Sequence, residues 1–586
     1  MWPFSSNIER SIDSLDDTYD YIVVGGGTAG CVLARRLSDD PSATVLLIEK
    51  GDAGDSWLQR TPLTSLHHWS DGKHSDVFDS AHDDRLRRSF SFITGLGLGG
   101  STRINGGQYT CGIPAEYNAW RRDGNEGWAY NDLKPFFNKS ESWIGPVARE
   151  FHGSNGPLQV RSFEGFYYPS AERTAQAADR LGFPPISDMH SPLEPSFGYN
   201  KIQFTVGADG TRQSAFRAYL PLDLLRERAS RLHVCTHAVG EKLLFSSQCN
   251  GSLRADAVHV LSVDGRSKRA IHARCEIVLA CGALRTPQLL MLSGVGPEDH
   301  LKEMGIKTVL SSPGVGAYLQ DHILLPTTYN CPLQDSLWSF IRRPHTILRE
   351  LYRYLLHGTG WFLCTMVECE LFAHSSLIDP RGKPLPHPKA REDASDPNNL
   401  PDFAVLATAI GDPRGPAADR SQGFLGLNCA LLKPASHGTL RLRSLDPLAA
   451  PVCTMRYLAH AADRAALRAA LRVSLALAQE MSAAGYALAP VSAPATDADD
   501  AALDAFVAAH ADTMYHYASS CRMAPREPGD ARSPGVVDAA LRVHGVANLR
   551  IADASVFPSV PATHPQALVY AVAEKCAEML RGRVER

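Results

Sequence analysis

Three consecutive glycines, Gly25-Gly26-Gly27, run into Thr28-Ala29-Gly30 and set out the spacing G-x-G-x-x-G through Gly25, Gly27 and Gly30. Each of the three has its own task. Gly25 permits a tight turn, Gly27 lets the backbone approach a pyrophosphate, and Gly30 lets a helix close onto a strand. The helix that starts there offers unpaired N–H groups and a partial positive charge to phosphate oxygens. Glu49 stands 19 residues beyond Gly30, where a carboxylate can accept hydrogen bonds from both hydroxyls of a ribose. The chemistry implied is dinucleotide binding.

That chemistry needs a strand before the glycines and a helix after them. Tyr19 to Val24 is a β-branched and aromatic run, Val32, Leu33 and Leu37 follow at helical spacing, and Thr44 to Ile48 is a second apolar run. The order strand–turn–helix–strand opens a Rossmann-type α/β unit. Ile277 to Cys281 reads as a further buried strand entering a helix at Thr286, Asn548 to Ile551 as a late strand, and Gln566 to Leu580 as the last helix. Between about Leu325 and Ala509 the character changes. Asp335 to Leu356 has helical spacing (Leu337, Phe340, Ile341, Leu348, Leu351, Leu355) with Pro344 as an expected kink. Residues 380–401 read as a surface loop, and the Ala-rich stretches 461–484 and 500–511 as helices.

The fingerprint does not choose between NAD and FAD; two further segments bear on that. Gly95 to Gly112 reads GLGLGGSTRINGGQYTCG, and Gly282 to Gly296 reads GALRTPQLLMLSGVG. At these segments the chain resembles the glucose–methanol–choline (GMC) oxidoreductases. The second segment matches that family's signature at Gly282, Ala283, Thr286, Pro287, Leu289, Leu290 and Ser293 through Gly296; the first departs at Leu96, where a basic or small polar residue is usual. Gly314-Val315-Gly316, Gln320-Asp321-His322, Gly210-Thr211-Arg212 to Ser214, and Ile551 to Ser555 extend the resemblance to nearly the whole chain.

The resemblance implies an α/β fold with a Rossmann-type FAD-binding domain (1–160, 210–325, 510–586) and a discontinuous α+β substrate-binding domain (161–209, 326–509). Thr28, Ala29 and Glu49 would hold the ADP half of FAD, with Val239 offering backbone groups to the adenine. Ser101, Asn105 and Gly106 would face the flavin, and Asp553, Ala554, Pro565 and Gln566 would close over it. Relatives with covalent FAD carry histidine where this chain has Ile104, so a dissociable FAD is expected.

Of 22 histidines, the resemblance singles out His516 and His564. Hydride transfer from an alcohol to flavin N5 requires loss of the hydroxyl proton, and imidazole suits that task near neutral pH. His516 is read as the general base and His564 as the partner that orients the oxygen. His322 is read as structural. Ser519-Ser520, where many relatives have Gly-Thr, is read as a conservative change in a turn. Cys364 and Cys369, near Trp361 and Phe362, are read as core thiols.

A net charge of −4 without a long basic run argues against nucleic acid as partner. Thirteen cysteines with no metal-ligand spacing, and an N-terminus without the order of a secretory signal, suggest an intracellular protein with no metal centre. On the same ground the sequons at Asn138 and Asn250 are expected to be unused. No stretch reaches the ~20 apolar residues of a membrane span. The expected partners are a small-molecule alcohol and an acceptor, either oxygen or a quinone-like carrier. Trp338, Phe340, Tyr352, Tyr354, Trp361 and Phe362 suggest an aromatic or otherwise apolar primary alcohol. A flavin-containing lyase on the same scaffold is the alternative.

Overall fold

The computed structural model describes residues 8–69, 71–146, 150–248, 252–415, 417–526 and 534–582. Strand β1 (Thr18–Val24), helix α1 (Thr28–Leu37) and strand β2 (Val45–Ile48) form where the apolar runs place them. β1 lies between β2 and the long strand Lys268–Leu279, parallel to both, and Leu232–Cys235 extends the sheet beyond β2. Every residue of β2 is buried, as in a parallel sheet covered on both faces. Lys268–Leu279 serves two neighbours. Its first half pairs antiparallel with Leu253–Ser262, and its last three residues pair parallel with Leu549–Ile551. With Ala238–Ser247 at the edge, seven strands make up the sheet.

Val24, Ile48 and Leu279 are in register at one end of this sheet. In an open parallel sheet the ligand crevice lies outside these carboxyl ends. Gly30 shows why the glycine spacing is strict: a Cβ there would fall 1.9 Å from the Gly25 carbonyl oxygen. Gly25 itself has φ +104 and packs its Cα against the Ala280 carbonyl.

A second sheet of nine strands runs in the order Ala489–Ser492, Thr328–Cys331, Gly423–Leu431, Phe403–Thr408, Val367–Ala373, Gly198–Lys201, Pro185–Ile186. Ile323–Leu325 joins Gly423–Leu431 and also pairs with Asp512–Thr513, so the chain enters and leaves this region through paired strands. The helices Pro169–Leu181 and Ala461–Ala483 pack on this sheet. Glu370, Leu406 and Asn428 are cross-strand neighbours in one row of it, and side chains along such a row share a face.

Two expectations change here. The expected kinked helix is two helices, Trp338–Arg342 and Pro344–His357, preceded by a short turn at Leu333–Asp335. Arg343 between them adopts φ −133, ψ 80, and Pro344 starts the second helix. Proline lacks the N–H that a continuous helix needs, yet it fits a first helical turn. The six aromatic residues expected at the pocket also lie elsewhere. Phe340 stacks on Trp361 and Phe362, Tyr354 tilts against Phe362, Trp338 meets Phe424, and Tyr352 is exposed. Asn138 lies in the helix Tyr130–Ser140, and Asn250 falls outside the described residues.

Candidate active site

A cavity of about 700 Å³ runs from the carboxyl ends of the first sheet to the face of the second. At one end lie Gly25, Gly27, Thr28, Ala29, Glu49 and Val239, and at the other His516 and His564. Ser101, Asn105, Gly106, Asp553, Ala554, Pro565 and Gln566 border the middle. Thus every residue expected to hold the cofactor, and both expected catalytic histidines, meet one cavity except Gly30, which packs α1 on β1.

The N-cap of α1 is Gly27, which has no side chain to bond the first-turn amides. Gly27, Thr28 and Ala29 line the cavity, so the helix start is placed there as an anionic diphosphate requires. Glu49 does more than its position in sequence suggests. Its two carboxylate oxygens accept hydrogen bonds from the amides of Gly26 (2.8 Å), Gly51 (2.9 Å) and Gly97 (3.0 Å), which tie the two glycine loops together. Removing it should therefore cost loop order beside the cavity, together with any ribose contact the carboxylate makes. Glu49→Ala should raise the FAD dissociation constant more than about tenfold, since charge-assisted hydrogen bonds are worth ~1.5–3 kcal/mol each. Titration of the apoprotein with FAD would test this, and an unchanged constant would exclude Glu49 from the cofactor site.

In the middle, Asn105 and Gln566 bond each other at 2.9 Å, and Gln566 Nε2 also donates to the Gln108 carbonyl at 2.6 Å. Asn105 Oδ1 accepts from the Gly107 amide and from Arg212, a buried guanidinium that also donates to the Pro62 carbonyl. Burial lowers Arg212 to about 10. Asp553 turns its carboxylate to the start of the helix Gly282–Leu292, accepting from Gly282 N (2.9 Å) and Thr286 Oγ1 (2.6 Å). Its side chain is thus a brace, and its backbone borders the cavity. The last helix begins at Gln566 with its N-terminus at the cavity, which favours negative charge there.

The two histidines stand with ring centroids 5.2 Å apart and planes nearly perpendicular. Each has its own partner behind it. His516 Nδ1 lies 2.9 Å from His322 Nδ1, and His322 Nε2 lies 2.9 Å from the Pro561 carbonyl oxygen. A carbonyl only accepts, so His322 carries its proton on Nε2 and offers a lone pair at Nδ1. His516 must then donate from Nδ1, which leaves Nε2 as a lone pair. Burial, with His564 and Lys433 nearby, lowers His322 to about 3. Burial, then His322 and His564, holds His516 well below its ordinary value. Both rings are neutral at physiological pH. His564 Nε2 instead meets Glu370 Oε2 at 3.2 Å.

His322, read from the sequence as structural, lies in direct contact with His516, and its neighbours Gln320 and Asp321 bond the segments around it. Gln320 bonds the amide of Val560, and Asp321 bonds the amide of His516 at 2.7 Å. Asp321 also accepts from Tyr457 and Thr513, and burial raises it to about 7. Glu370 carried no signal, because a lone glutamate in a buried strand has no spacing to reveal it. The backbone around His516 is held in an uncommon conformation, with Tyr515 at φ 61 and Ser519 at φ 68. Serine in place of glycine at 519 is therefore not a neutral exchange. A side chain in the left-handed region costs roughly 1–2 kcal/mol, and Asp321 on the His516 amide helps to hold the turn.

Cys364 and Cys369 are buried and, like the six aromatic residues named above, do not line the cavity among the described residues. The fold gathers Glu141, His152 and His190, and separately His68, Asp71 and His74, into groups with metal-ligand proximity. Sequence spacing did not show the first, since it joins three separate segments. In it, His152 lies between Glu141 (2.8 Å) and Asp188 (3.2 Å). Burial opposes its charge, but hydrogen bonds donated to these carboxylates prevail and raise it to about 9.

The profiles of the GMC oxidoreductase N- and C-terminal regions match residues 19–324 and 434–573. The chain belongs to the GMC oxidoreductase family. It is a member of an FAD-dependent group and an oxidoreductase acting on CH–OH groups. A protein from Burkholderia multivorans named oxygen-dependent choline dehydrogenase is 33% identical over 573 residues, covering 96% of this chain and 94% of that one. Pyridoxine 4-oxidase from Mesorbium loti is 25% identical with a TM-score of 0.80, covering 97% and 99% of the two chains. A formate oxidase structure is 25% identical with a TM-score of 0.84 and the same coverage. The match to these flavoenzymes agrees with the Rossmann-type α/β fold read from the sequence. Among the described residues no helix is long and apolar enough to cross a membrane.

Proposed function

We propose that this enzyme oxidises an uncharged alcohol, aromatic or otherwise apolar, to the carbonyl compound, with His516 as the base. The observation that carries the reading is the chain from the Pro561 carbonyl through His322 to His516, which leaves Nε2 of His516 free to take a proton. FAD, held non-covalently, supplies the hydride acceptor. Thr28 and Ala29 would bind its diphosphate, Glu49 the ribose and Val239 the adenine. Ser101, Asn105 and Gly106 would lie against the ring, with Asp553, Ala554, Pro565 and Gln566 over it. The segments 1–160, 210–325 and 510–586 would form the cofactor unit, and 161–209 with 326–509 the substrate unit.

His516 removes the hydroxyl proton while His564 holds the oxygen. The contacts behind the rings suggest this division: the Pro561 carbonyl and His322 fix Nε2 of His516 as the unprotonated nitrogen, whereas His564 is tied through Nε2 to Glu370. The start of the last helix favours negative charge as it develops at the cavity.

The lining supports an uncharged substrate. Leu324, Pro326, Met366, Val367, Leu406 and Ile410 supply apolar walls, and Trp69 with Tyr515 an aromatic one. The lining carboxylates are engaged. Glu49 is bonded by three amides, Asp553 by the helix start, and Asp76 by Lys50 and Arg285. Asp512 accepts from the Thr513 amide at 2.8 Å, and burial raises it above its ordinary value. None presents a free anion to a quaternary ammonium.

Anaerobic mixing with benzyl alcohol, hexanol and choline tests the reading. Benzyl alcohol or hexanol should bleach the flavin, and choline should not. Faster bleaching by choline would overturn the substrate class. Consumption of an alcohol without bleaching would favour a lyase. Admitting oxygen and measuring peroxide then separates oxygen from a quinone-like carrier as acceptor. Because Ile104 stands where relatives with covalent FAD have histidine, acid precipitation should release free FAD. Yellow fluorescence retained on the denatured chain would exclude the non-covalent reading.

A further inference from the structure

The helix Pro344–His357 leaves much of its apolar surface outside. Its buried positions are Thr346, Glu350 and Tyr354, spaced to share one face. These find polar partners, and beside them only Ile347 and Leu351 pack, half-buried, against the core. Glu350 accepts from the Trp361 amide at 3.2 Å, and the Tyr354 hydroxyl donates to the Gly210 carbonyl at 3.2 Å. The outward face carries Leu348 (68% exposed), Tyr352 (56%), Leu355 (58%) and Leu356 (68%), and Ile341 (69%) stands on the short helix before it. Large exposed side chains elsewhere on the protein are scattered, and such singletons are ordinary. A contiguous apolar face of this kind marks a docking surface.

We propose that this face seats the protein on an anionic lipid surface. Charge favours lipid as the occupant. The chain carries net charge −4, yet residues 341–357 hold four arginines (Arg342, Arg343, Arg349, Arg353) and one glutamate. That glutamate, Glu350, is buried and paired with Arg349 and Arg353. Apolar side chains flanked by arginines describe a helix lying in the plane of a membrane interface, with acyl chains below and phosphate headgroups beside it. A second copy of the chain would instead place these arginines against one another. The helix has 14 residues, too few to span a bilayer, so it lies on the surface.

The location ties this surface to the cavity. Trp361–Leu363 follows the helix at once, and Thr365, Met366 and Val367, next along the chain, line the cavity wall. On the other side Thr61, whose hydroxyl bonds the Trp57 carbonyl, adjoins Tyr354 of the helix. Trp57 is itself 49% exposed, and tryptophan is favoured at lipid–water boundaries. Docking by this face would hold the cavity wall close to the bilayer.

Flotation of the holoprotein with vesicles of phosphatidylcholine, alone or mixed with phosphatidylglycerol, tests the proposal. The protein should float with the mixed vesicles, and less so as salt is raised. Leu348→Asp with Leu355→Asp should weaken the binding by about a hundredfold or more, since each buried leucine contributes ~1.5–3 kcal/mol. Both positions are exposed, so flavin content and thermal stability should be unchanged. Failure of the wild type to float with the mixed vesicles, or equal flotation of the double variant, would overturn the proposal. So would a concentration-dependent dimer that this variant abolishes in a protein that ignores vesicles.

Discussion

His516→Ala lowers the single-turnover rate of flavin bleaching by about a hundredfold or more, while the yellow holoprotein stays intact, if His516 takes the hydroxyl proton. The cavity wall loses one imidazole, and the loops around the cofactor site keep their own bonds. The backbone amide of residue 516 still donates to Asp321, so the turn is retained. His564→Asn is milder, because the amide can still donate to the substrate oxygen, and His564→Ala falls between the two. The double variant loses less than the product of the single losses, since both groups act on one oxygen. Bleaching is the quantity to follow, because steady-state turnover can be limited by reoxidation. Normal bleaching in His516→Ala with a large loss in His564→Ala would exchange the roles. That outcome would point to the Glu370–His564 pair as the base, through an imidazole nitrogen that Glu370 does not engage.

His322→Leu has the second largest effect, although His322 touches no substrate. It removes the acceptor for the Nδ1–H of His516 and releases the ring to take the other tautomer, in which Nε2 carries the proton and cannot act as a base. Partners of this kind are typically worth ~10–100-fold, and bleaching should fall in that range. His322→Asn should recover part of the rate, since its carbonyl oxygen can accept from His516 Nδ1. Equal rates in the two variants would reduce His322 to a packing role. A second readout follows from its titration. Folding holds His322 near 3, mainly by burial, whereas an unfolded histidine titrates near 6.5. As pH falls from about 6.5 towards 3 the unfolded chain gains a proton that the folded one refuses, so stability declines. His322→Leu should flatten part of that decline in thermal melts between pH 6.5 and 4.

The elements nearest the chain start were legible from local pattern alone. β1, α1 and β2 follow from apolar runs around a glycine turn, and Gly25 and Gly30 occupy positions a Cβ would fill with clashes. The long helices Ala461–Ala483 and Gln566–Arg581 were legible for the same reason, having strong period and few breakers. Pro344 was visible, but whether it bends or ends a helix depends on what the residue before it packs against. The aromatic residues of 338–362 misled because composition reports that rings are present and not which way they face. Most turned to one another, and the aromatic wall of the cavity came from Trp69 and Tyr515 instead.

By itself, the sequence showed the glycine loop and the family resemblance, because each rests on residues close together in the chain, and through that resemblance it singled out the two histidines. Tertiary structure alone decided what stands behind those histidines. His322 and Glu370 each lie 194 residues from the imidazole they contact, and no spacing within the chain encodes such a meeting. The protonation of His516 depends on a carbonyl at Pro561, a backbone atom that carries no sequence signal at all. It bears on the site only when folding brings a buried imidazole between it and His516.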